Sequence, residues 1–295
     1  MEPFPGRYNT DGPWLKGNTH IHTTRSDGSM DYRSTAHHYA ATGYDFIVIT
    51  DHRVPADIER LTGLPLLAVN GIEIDAVDAA GAYFHAVGLG CAPTVDPDAP
   101  FEEQAACVRA GGGLLILAHP QWTGNSAADS LRHGFGGVEV FNNVCRYMNG
   151  KGLGTYHYDK MLAENPATLG FAADDCHFGI VQPYDSAWIM VCARQPSKEA
   201  IMAAIRSGNF YATRGPVFES IHADGRTVRV RTSPVQIIRI TDNTSWGRHL
   251  CNGGEALTEA EFALEEERAY LRVEIEDQNG RTAWTNAVLR GRPEP

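Results

Sequence analysis

The sequence predicts an α/β protein in which a barrel of strands and helices precedes a smaller antiparallel β domain. Strand-like apolar runs alternate with helical segments up to about residue 214. Histidines and acidic residues follow several of these runs, as expected where the strand ends of a βα barrel open onto one face. From about residue 218 the segments alternate polar and apolar residues instead. The predicted boundaries are 1–216 for the barrel and 217–295 for the β-rich domain.

Composition limits the class of protein. The chain has 295 residues, of which 43% are hydrophobic, so it can bury the core of a barrel-sized domain. Its formal net charge of -11 argues against an extended basic surface for nucleic acid. The six cysteines are scattered, and neither a signal-peptide pattern nor a membrane-length apolar stretch is evident. We therefore expect a soluble cytoplasmic protein with free thiols and no membrane partner.

The first predicted helix and strand lead to a pair of candidate functional residues. Asp31 can cap a helix that Gly43 ends in the left-handed conformation. The run 46–49 is continuously apolar, which is typical of a strand buried on both faces, and Asp51 and His52 follow it.

Later apolar runs precede further candidates in the same way. A helix near Phe101 to Ala110 ends at three consecutive glycines, and no phosphate-binding loop motif follows them. The run 138–141 continues the alternation. The other runs and the residues after them are 66–69 with Glu73, 114–117 with His119, and 168–171 with Asp175 and His177.

The end of the barrel and the β-rich domain are marked by turn and cap residues. Ser197 is a plausible N-cap for an amphipathic helix that ends at Gly208. Alternating strands are predicted at 227–231, 236–240 and 270–275, separated by turn signals at Asp224-Gly225, Gly253-Gly254 and Asn279-Gly280.

Nine residues with nitrogen or oxygen donors form a candidate metal site: His20, His22, Asp27, His52, Glu73, His85, His119, Asp175 and His177. Because side chains alternate along a strand, His20 and His22 lie on the same face and can chelate one ion. A carboxylate can bridge two ions, and Glu73 suits that role. Donors without thiolate favour Zn, Mn or Fe in a catalytic site, with about two or three ions per chain. A lone histidine such as His85 or His119 is more often a packing residue, so the whole set carries the prediction.

The order of these motifs resembles the PHP (polymerase and histidinol phosphatase) superfamily over residues 17 to 214. The matching segments are Gly17-Asn18-Thr19-His20-Ile21-His22-Thr23-Thr24, Ser26-Asp27-Gly28, Ile49-Thr50-Asp51-His52, Gly71-Ile72-Glu73, Phe84-His85-Ala86-Val87-Gly88, Ala118-His119-Pro120 and Asp175-Cys176-His177. The resemblance implies a distorted seven-stranded βα barrel, a trinuclear metal centre and phosphoester hydrolysis. It also implies how the donors are divided among three ions. One ion is held by His20, His22, Glu73 and Asp175, a second by Asp27 and His52, and a third by Glu73, His85, His119 and His177.

Two positions depart from the family pattern. Asp174 stands where many relatives have a small residue, and Arg53 stands where relatives often have a small polar one. The segment 204–216 and the β-rich tail are similar to the CehA/McbA-type metallohydrolases, some of which cleave aryl carbamates.

The chemistry of such a centre also follows from its donors. Divalent ions outweigh the charge of three carboxylates, so the pocket attracts an anionic small-molecule substrate and lowers the pKa of water toward about 7. His52 and Asp51 are the candidates for protonating a leaving group. Asp51 can instead orient a liganding histidine.

Four residues are candidates for binding the substrate. Arg53, Arg146 and Arg214 carry guanidinium groups that can hold phosphate by two-point contact, although each is equally typical of a surface ion pair. Trp122 follows His119-Pro120 and can wall the pocket or pack in the core.

These features predict a metal-dependent hydrolase, in first place a phosphoesterase that cleaves a small phosphorylated metabolite or nucleotide. A second hypothesis is hydrolysis of a carbamate, ester or amide at the same centre. A third is a metal-stabilised domain that binds without catalysis, which the complete donor set disfavours.

Overall fold

The structure is a computed structural model that describes residues 1–5, 7–8, 12–56, 58, 63–179, 184–245, 247–264 and 267–291. Its α-helices are α1 (Tyr32–Ala41), α2 (Phe101–Ala110), α3 (Pro120–Thr123), α4 (Ala127–Arg132), α5 (Asn143–Asn149), α6 (Thr155–Glu164) and α7 (Lys198–Ser207). Its strands are β1 (Glu2–Pro3), β2 (Trp14–Asn18), β3 (Phe46–Val48), β4 (Leu67–Val69), β5 (Gly71–Val77), β6 (Tyr83–Leu89), β7 (Leu114–Leu117), β8 (Gly137–Asn142), β9 (Leu169–Ala173), β10 (Trp188–Cys192), β11 (Phe210–Thr213), β12 (Phe218–Ala223), β13 (Thr227–Val235), β14 (Ile237–Asp242), β15 (Arg248–Cys251), β16 (Leu257–Ala263), β17 (Tyr270–Glu276), β18 (Thr282–Thr285) and β19 (Leu289–Arg290).

The predicted caps are present at both ends of two helices. The Asp31 carboxylate accepts hydrogen bonds from two backbone N–H groups at the start of α1, and the Ser197 hydroxyl accepts one at the start of α7. Gly43 and Gly208 follow these helices with φ values of 82° and 75°, a conformation that glycine adopts without a steric penalty.

Two single bridges join the strands β2 and β3 to the strands β5 to β9 in a ring, which we call the barrel. β2 pairs with β3 in parallel, and β7, β8 and β9 are mutually parallel. The five-stranded sheet β5-β6-β7-β8-β9 meets the β2–β3 pair through parallel bridges between His52 and Glu73 and between Ile21 and Cys176. Residues that follow β2, β3, β7 and β9 are therefore brought to one end of the barrel.

The fold is mixed α/β, but the regular strand–helix alternation that we expected is wrong around β6. This strand pairs in antiparallel fashion with both β5 and β7. β5 and β6 are joined by a tight turn in which Gly81 has a φ of 84°. His85 therefore lies near the start of a strand instead of following one. Because the strand runs in the opposite direction, that start lies at the same end of the barrel as the carboxyl ends of its parallel neighbours.

Glu73 also differs from its expected position. The run 66–69 becomes the short strand β4, and Glu73 lies inside the next strand, β5, opposite Val87 of β6. A strand interior holds a side chain more rigidly than a loop does, which suits a residue that several histidines contact.

The β-rich region contains the expected antiparallel strands, and it shares a sheet with the barrel. β18 pairs with β11, and β17 and β14 extend the same eleven-stranded sheet. β12, β13 and β16 form a separate three-stranded sheet. The division at residues 216 and 217 stays a prediction. All six cysteines are free thiols. Within the part of the chain that the structure describes, the helices are too short or too polar to span a membrane.

Candidate metal centre

The nine predicted donors converge at one end of the barrel. His20 and His22 follow β2, His52 follows β3, His119 follows β7, and the Asp175 and His177 pair follows β9. Their donor atoms fall into overlapping groups whose members lie within 4.8 Å of one another. The groups are His20, His22 and Glu73; His20, His119 and Asp175; His52, Glu73 and His85; and His22, Asp27, His52 and His177.

The most buried group surrounds His20 and His22. Both imidazoles are 0% exposed, and their Nε2 atoms are 3.1 Å apart. Glu73 Oε2 is 3.1 Å from each of these nitrogens, and Asp175 Oδ1 is 3.4 Å from His20 Nε2 and 3.1 Å from His22 Nε2. Four donors therefore face one another in a space from which water is largely excluded.

The orientation of His20 shows that this group fits a cation. Its Nδ1 lies 2.7 Å from Glu139 Oε1, so the ring proton is held there and Nε2 presents a lone pair to the neighbouring donors. Among the described residues, Asp175 Oδ1 makes no hydrogen bond of acceptable geometry. Lone pairs that face one another in a buried site repel unless a proton or a metal ion lies between them. The donor set is the kind that Zn, Mn or Fe prefers.

Glu73 presents its two oxygens to different histidines. Oε1 is 2.8 Å from His85 Nδ1 and 3.4 Å from His119 Nε2, whereas Oε2 faces His20 and His22. This is the arrangement expected of a carboxylate that bridges two ions.

His177 lies in a different group from the one that the family resemblance implied. Its Nε2 is 3.2 Å from Asp27 Oδ2, and its ring stacks on that of His22 with centroids 4.2 Å apart. His52 Nε2 lies 3.8 Å from Asp27 Oδ2. The geometry therefore places His177 with Asp27 and His52, and leaves His85 and His119 with Glu73.

The pKa shifts of the donors also indicate that the site needs positive charge. Burial alone would lower the pKa of His22, but the neighbouring carboxylates of Asp175 and Glu73 raise it to about 9. Although burial opposes it, the neighbouring histidines hold the pKa of Glu73 well below its usual range. Without a metal, the centre must therefore take up protons to balance its carboxylates. Metal binding would displace these protons, so affinity falls as the pH drops.

Glu139 is a buried carboxylate that holds two of the donors in place. Besides contacting His20, it accepts hydrogen bonds from the His119 backbone N–H at 2.9 Å and from Asn142 Nδ2 at 2.8 Å. Asn142 Nδ2 also donates to Asp175 Oδ2 at 3.1 Å. Glu139 and Asn142 thus position donors.

Asp75 and Tyr83 are site residues that the sequence analysis missed. Asp75 Oδ1 lies 3.1 Å from His52 Nδ1, and the Tyr83 hydroxyl donates to Asp75 Oδ2 at 3.2 Å. The same hydroxyl oxygen is 2.9 Å from His85 Nε2. Burial, followed by the charge of Asp75, raises the pKa of Tyr83 to about 12, so the phenol stays protonated. The one available sequence signal was period two, which places Asp75 on the same strand face as Glu73.

The backbone at two of the donors is strained. His119 and Asp175 have φ values of 27° and 53°, which are uncommon for residues other than glycine. Such strain persists where surrounding contacts determine the geometry, as the Glu139 and Asn142 hydrogen bonds do here.

Asp51 is buried away from the cavity. Its carboxylate accepts hydrogen bonds from the Thr23 backbone N–H and hydroxyl, both at 2.7 Å, and from the Ser26 hydroxyl at 2.8 Å. Ser26 in turn lies 3.5 Å from His22 Nδ1. Asp51 thus fixes the segment after His22, and its catalytic role stays a prediction. His52 does line the cavity.

The cavity beside the donors has a volume of about 410 Å³, and Trp122 is part of its wall. The three candidate arginines do not line it. Arg53 Nη1 is 3.0 Å from Asp75 Oδ2, the Arg214 guanidinium lies 4.3 Å from the centre of the Phe141 ring, and Arg146 is exposed. Their binding roles stay predictions.

Three solved structures of low sequence identity are similar to this chain over part or most of its length. A two-domain protein from Bacteroides vulgatus that contains a predicted PHP-like metal-dependent phosphoesterase has a TM-score of 0.55 and 15% identity, over 99% of this chain and 96% of that chain. A Bifidobacterium adolescentis protein, described as a candidate metal-dependent phosphoesterase, has a TM-score of 0.47 and 17% identity over 67% of this chain and 98% of that one. An amidohydrolase from Chromobacterium violaceum has a TM-score of 0.44 and 14% identity over 55% of this chain and 87% of that one.

The similarity to the Bacteroides vulgatus protein shows only that the two chains share a fold. This agrees with the PHP-type architecture that the motifs imply. The other two TM-scores are too low to carry an argument. No protein-family model matches the sequence, and no curated protein does.

Proposed function

We propose that the chain is a metal-dependent hydrolase, and in first place a phosphoesterase that acts on a small phosphorylated molecule. The observation that carries the proposal is the convergence of buried carboxylate and imidazole donors around His20 and His22 beside an open cavity. Without a metal these donors have to take up protons, and a bound ion would replace those protons.

Bound divalent ions would supply a hydroxide nucleophile and neutralise charge on the group under attack. The residues of the chain do the positioning. Glu73 holds five histidines around its two oxygens, and Glu139 fixes the tautomer of His20. The carboxylates of Asp27, Glu73 and Asp175 would repel an anionic substrate, so its binding depends on the cations that these same residues hold.

Hydrolysis of a carbamate, ester or amide is the second candidate. It is favoured by the wall of the cavity, where the described lining residues include no arginine or lysine to grip a phosphate. The same nucleophile would then attack a carbonyl carbon.

A paired assay separates these activities. Protein loaded with Zn, Mn or Fe is tested for phosphate release from a panel of phosphomonoesters and for chromophore release from 1-naphthyl carbamates. We expect phosphate release that His119→Ala abolishes and that the control His249→Ala, an exposed residue on β15, leaves unchanged. Metal binding without turnover in either assay would favour a non-catalytic binding domain.

A further inference from the structure

The cavity beside the metal centre has two chemically different walls. One wall presents donors, among them Asp27, His52 and Glu73. The other is formed by Trp122 of α3 and by one face of α5, which contributes Val144, Cys145 and Met148. The volume of about 410 Å³ leaves space for a group larger than the phosphate itself.

The apolar wall includes two large side chains with unusual exposure. Trp122 is 37% exposed and Met148 is 59% exposed, although both lie at the cavity. Exposed apolar area in a concave site is favourable to cover, at about 25 cal/mol per Å². Indole and thioether groups both make favourable contacts with aromatic rings.

Trp122 connects this wall to the donors. Its ring meets the His85 ring edge-on, with centroids 5.5 Å apart, and meets the His119 ring in the same way at 5.1 Å. A substrate group attached to the reacting centre by a short link would therefore reach the indole.

Positively charged groups are missing from the described part of this wall. Arg53 is already paired with Asp75, and Arg214 stacks on Phe141. A sugar or a second phosphate would find few partners there and would lose hydration on entering.

We infer that the cavity binds a substrate whose non-reacting part is an apolar group of about aromatic size, held between Trp122 and Met148. This inference rests on the proposed hydrolase function and narrows its substrate class. The group departs with the leaving alcohol after hydrolysis, so the acyl or phosphoryl part faces the donors and the apolar part faces α3 and α5.

Two substrates with matched leaving groups test it. 3-Phenylpropyl phosphate and propyl phosphate both release a primary alcohol, so their intrinsic reactivities are similar. We expect kcat/KM to favour the phenyl compound by about tenfold or more, mainly through KM. Trp122→Ala and Met148→Ala should each reduce this preference severalfold, because they remove the side chains that would hold the phenyl group. Tyr156→Ala removes an exposed aromatic side chain outside the cavity and should leave the preference intact.

A binding measurement keeps the inference separate from the proposed activity. Calorimetry with 3-phenylpropylphosphonate and propylphosphonate on the metal-loaded protein needs no turnover. A preference for the phenyl compound that Trp122→Ala removes, without hydrolysis of either phosphate, supports the apolar subsite and contradicts the phosphoesterase.

Hydrolysis of both phosphates at equal kcat/KM, with equal phosphonate affinities, overturns the subsite and leaves the phosphoesterase standing. The inference is also overturned if light scattering shows a dimer that Met148→Ala dissociates while phosphonate binding is unaffected. In that case a second copy of the chain covers the apolar residues.

Discussion

Two buried clusters of charged residues differ in how they are neutralised. In the β-rich region, Arg272 is 2% exposed, and both oxygens of Asp159 accept its Nε and Nη2 hydrogen bonds at 2.8 and 3.0 Å. Its Nη1 also donates to Glu274 at 3.1 Å. At the barrel end, the donors around Glu73 and Asp175 face histidine lone pairs, and one carboxylate oxygen has no hydrogen bond within the described residues.

The difference separates a structural cluster from a functional one. A buried charge whose partners all belong to the protein holds elements together, in this case α6 and β17. Buried carboxylates whose neighbours carry too little positive charge are stable only when protons or a bound ion supply that charge. Burial of polar residues alone would not have distinguished the two.

The largest expected effect comes from the residue at the centre of the functional cluster. Glu73→Gln removes the charge of the bridging carboxylate and keeps its shape. We expect kcat/KM to fall by about a thousandfold or more and the metal content to drop, because most of the rate enhancement depends on the bound ions. Without metal, Glu73→Gln should unfold at a lower temperature, because the neighbouring histidines that hold the pKa of Glu73 down lose a carboxylate that balances them. Full activity and full metal content in Glu73→Gln would contradict the assignment.

The matched substitution in the structural cluster should lower the stability of the fold and leave the metal content unchanged. Arg272→Met leaves Asp159 and Glu274 without their buried cation, and removing one partner of such a pair costs about 3 to 5 kcal/mol of unfolding free energy. Because Asp159 is partly exposed, we expect the lower end of that range. Metal content per folded molecule, measured by elemental analysis, should stay that of the unmodified protein. Loss of metal in this variant would mean that the two clusters are coupled.

The positioning carboxylates should have intermediate effects. Glu139→Gln and Asp75→Asn each weaken the hold on a histidine ring without removing a donor. We expect metal affinity to fall by about 10- to 100-fold, with stoichiometry restored at high metal concentration. Competition with a chromophoric chelator measures this affinity. Unchanged affinity in both variants would assign these carboxylates to packing alone.

Whether the position of a donor residue could be predicted from the sequence depended on the direction of its strand. His52 and His119 follow apolar runs, so their convergence follows from parallel strands that open onto one face. His85 and Glu73 lie inside the antiparallel pair β5 and β6, and hydrophobic periodicity contains no information about direction. The motifs found both residues, but the local pattern placed Glu73 after a strand when it lies inside one.

Contacts between residues on different strands could not be predicted from the sequence, for a related reason. Asp75 contacts His52 from another strand, and the grouping of His177 with Asp27 depends on the path of the loop after His22. Long-range pairs of this kind are set by tertiary packing. The cap at Ser197 was predictable because it depends on a local hydrogen bond.

The smallest expected effect tests that local rule at a distance from both clusters. Ser197→Ala removes the hydroxyl that accepts from the Ala200 backbone N–H and should cost about 1 kcal/mol of unfolding free energy. Metal content and kcat/KM should be unchanged. Chemical denaturation measures the free energy of unfolding. A loss of activity larger than the loss of folded protein would contradict the claim that the cap has only a local effect.

The central claim is that the barrel-end cluster is completed by divalent cations, and elemental analysis of protein purified without chelator tests it most directly. We expect about two or three equivalents of Zn, Mn or Fe per chain, lost in Glu73→Gln and retained in Arg272→Met. Less than about a tenth of an equivalent, even after incubation with each metal in excess and removal of the unbound ions, would contradict the account.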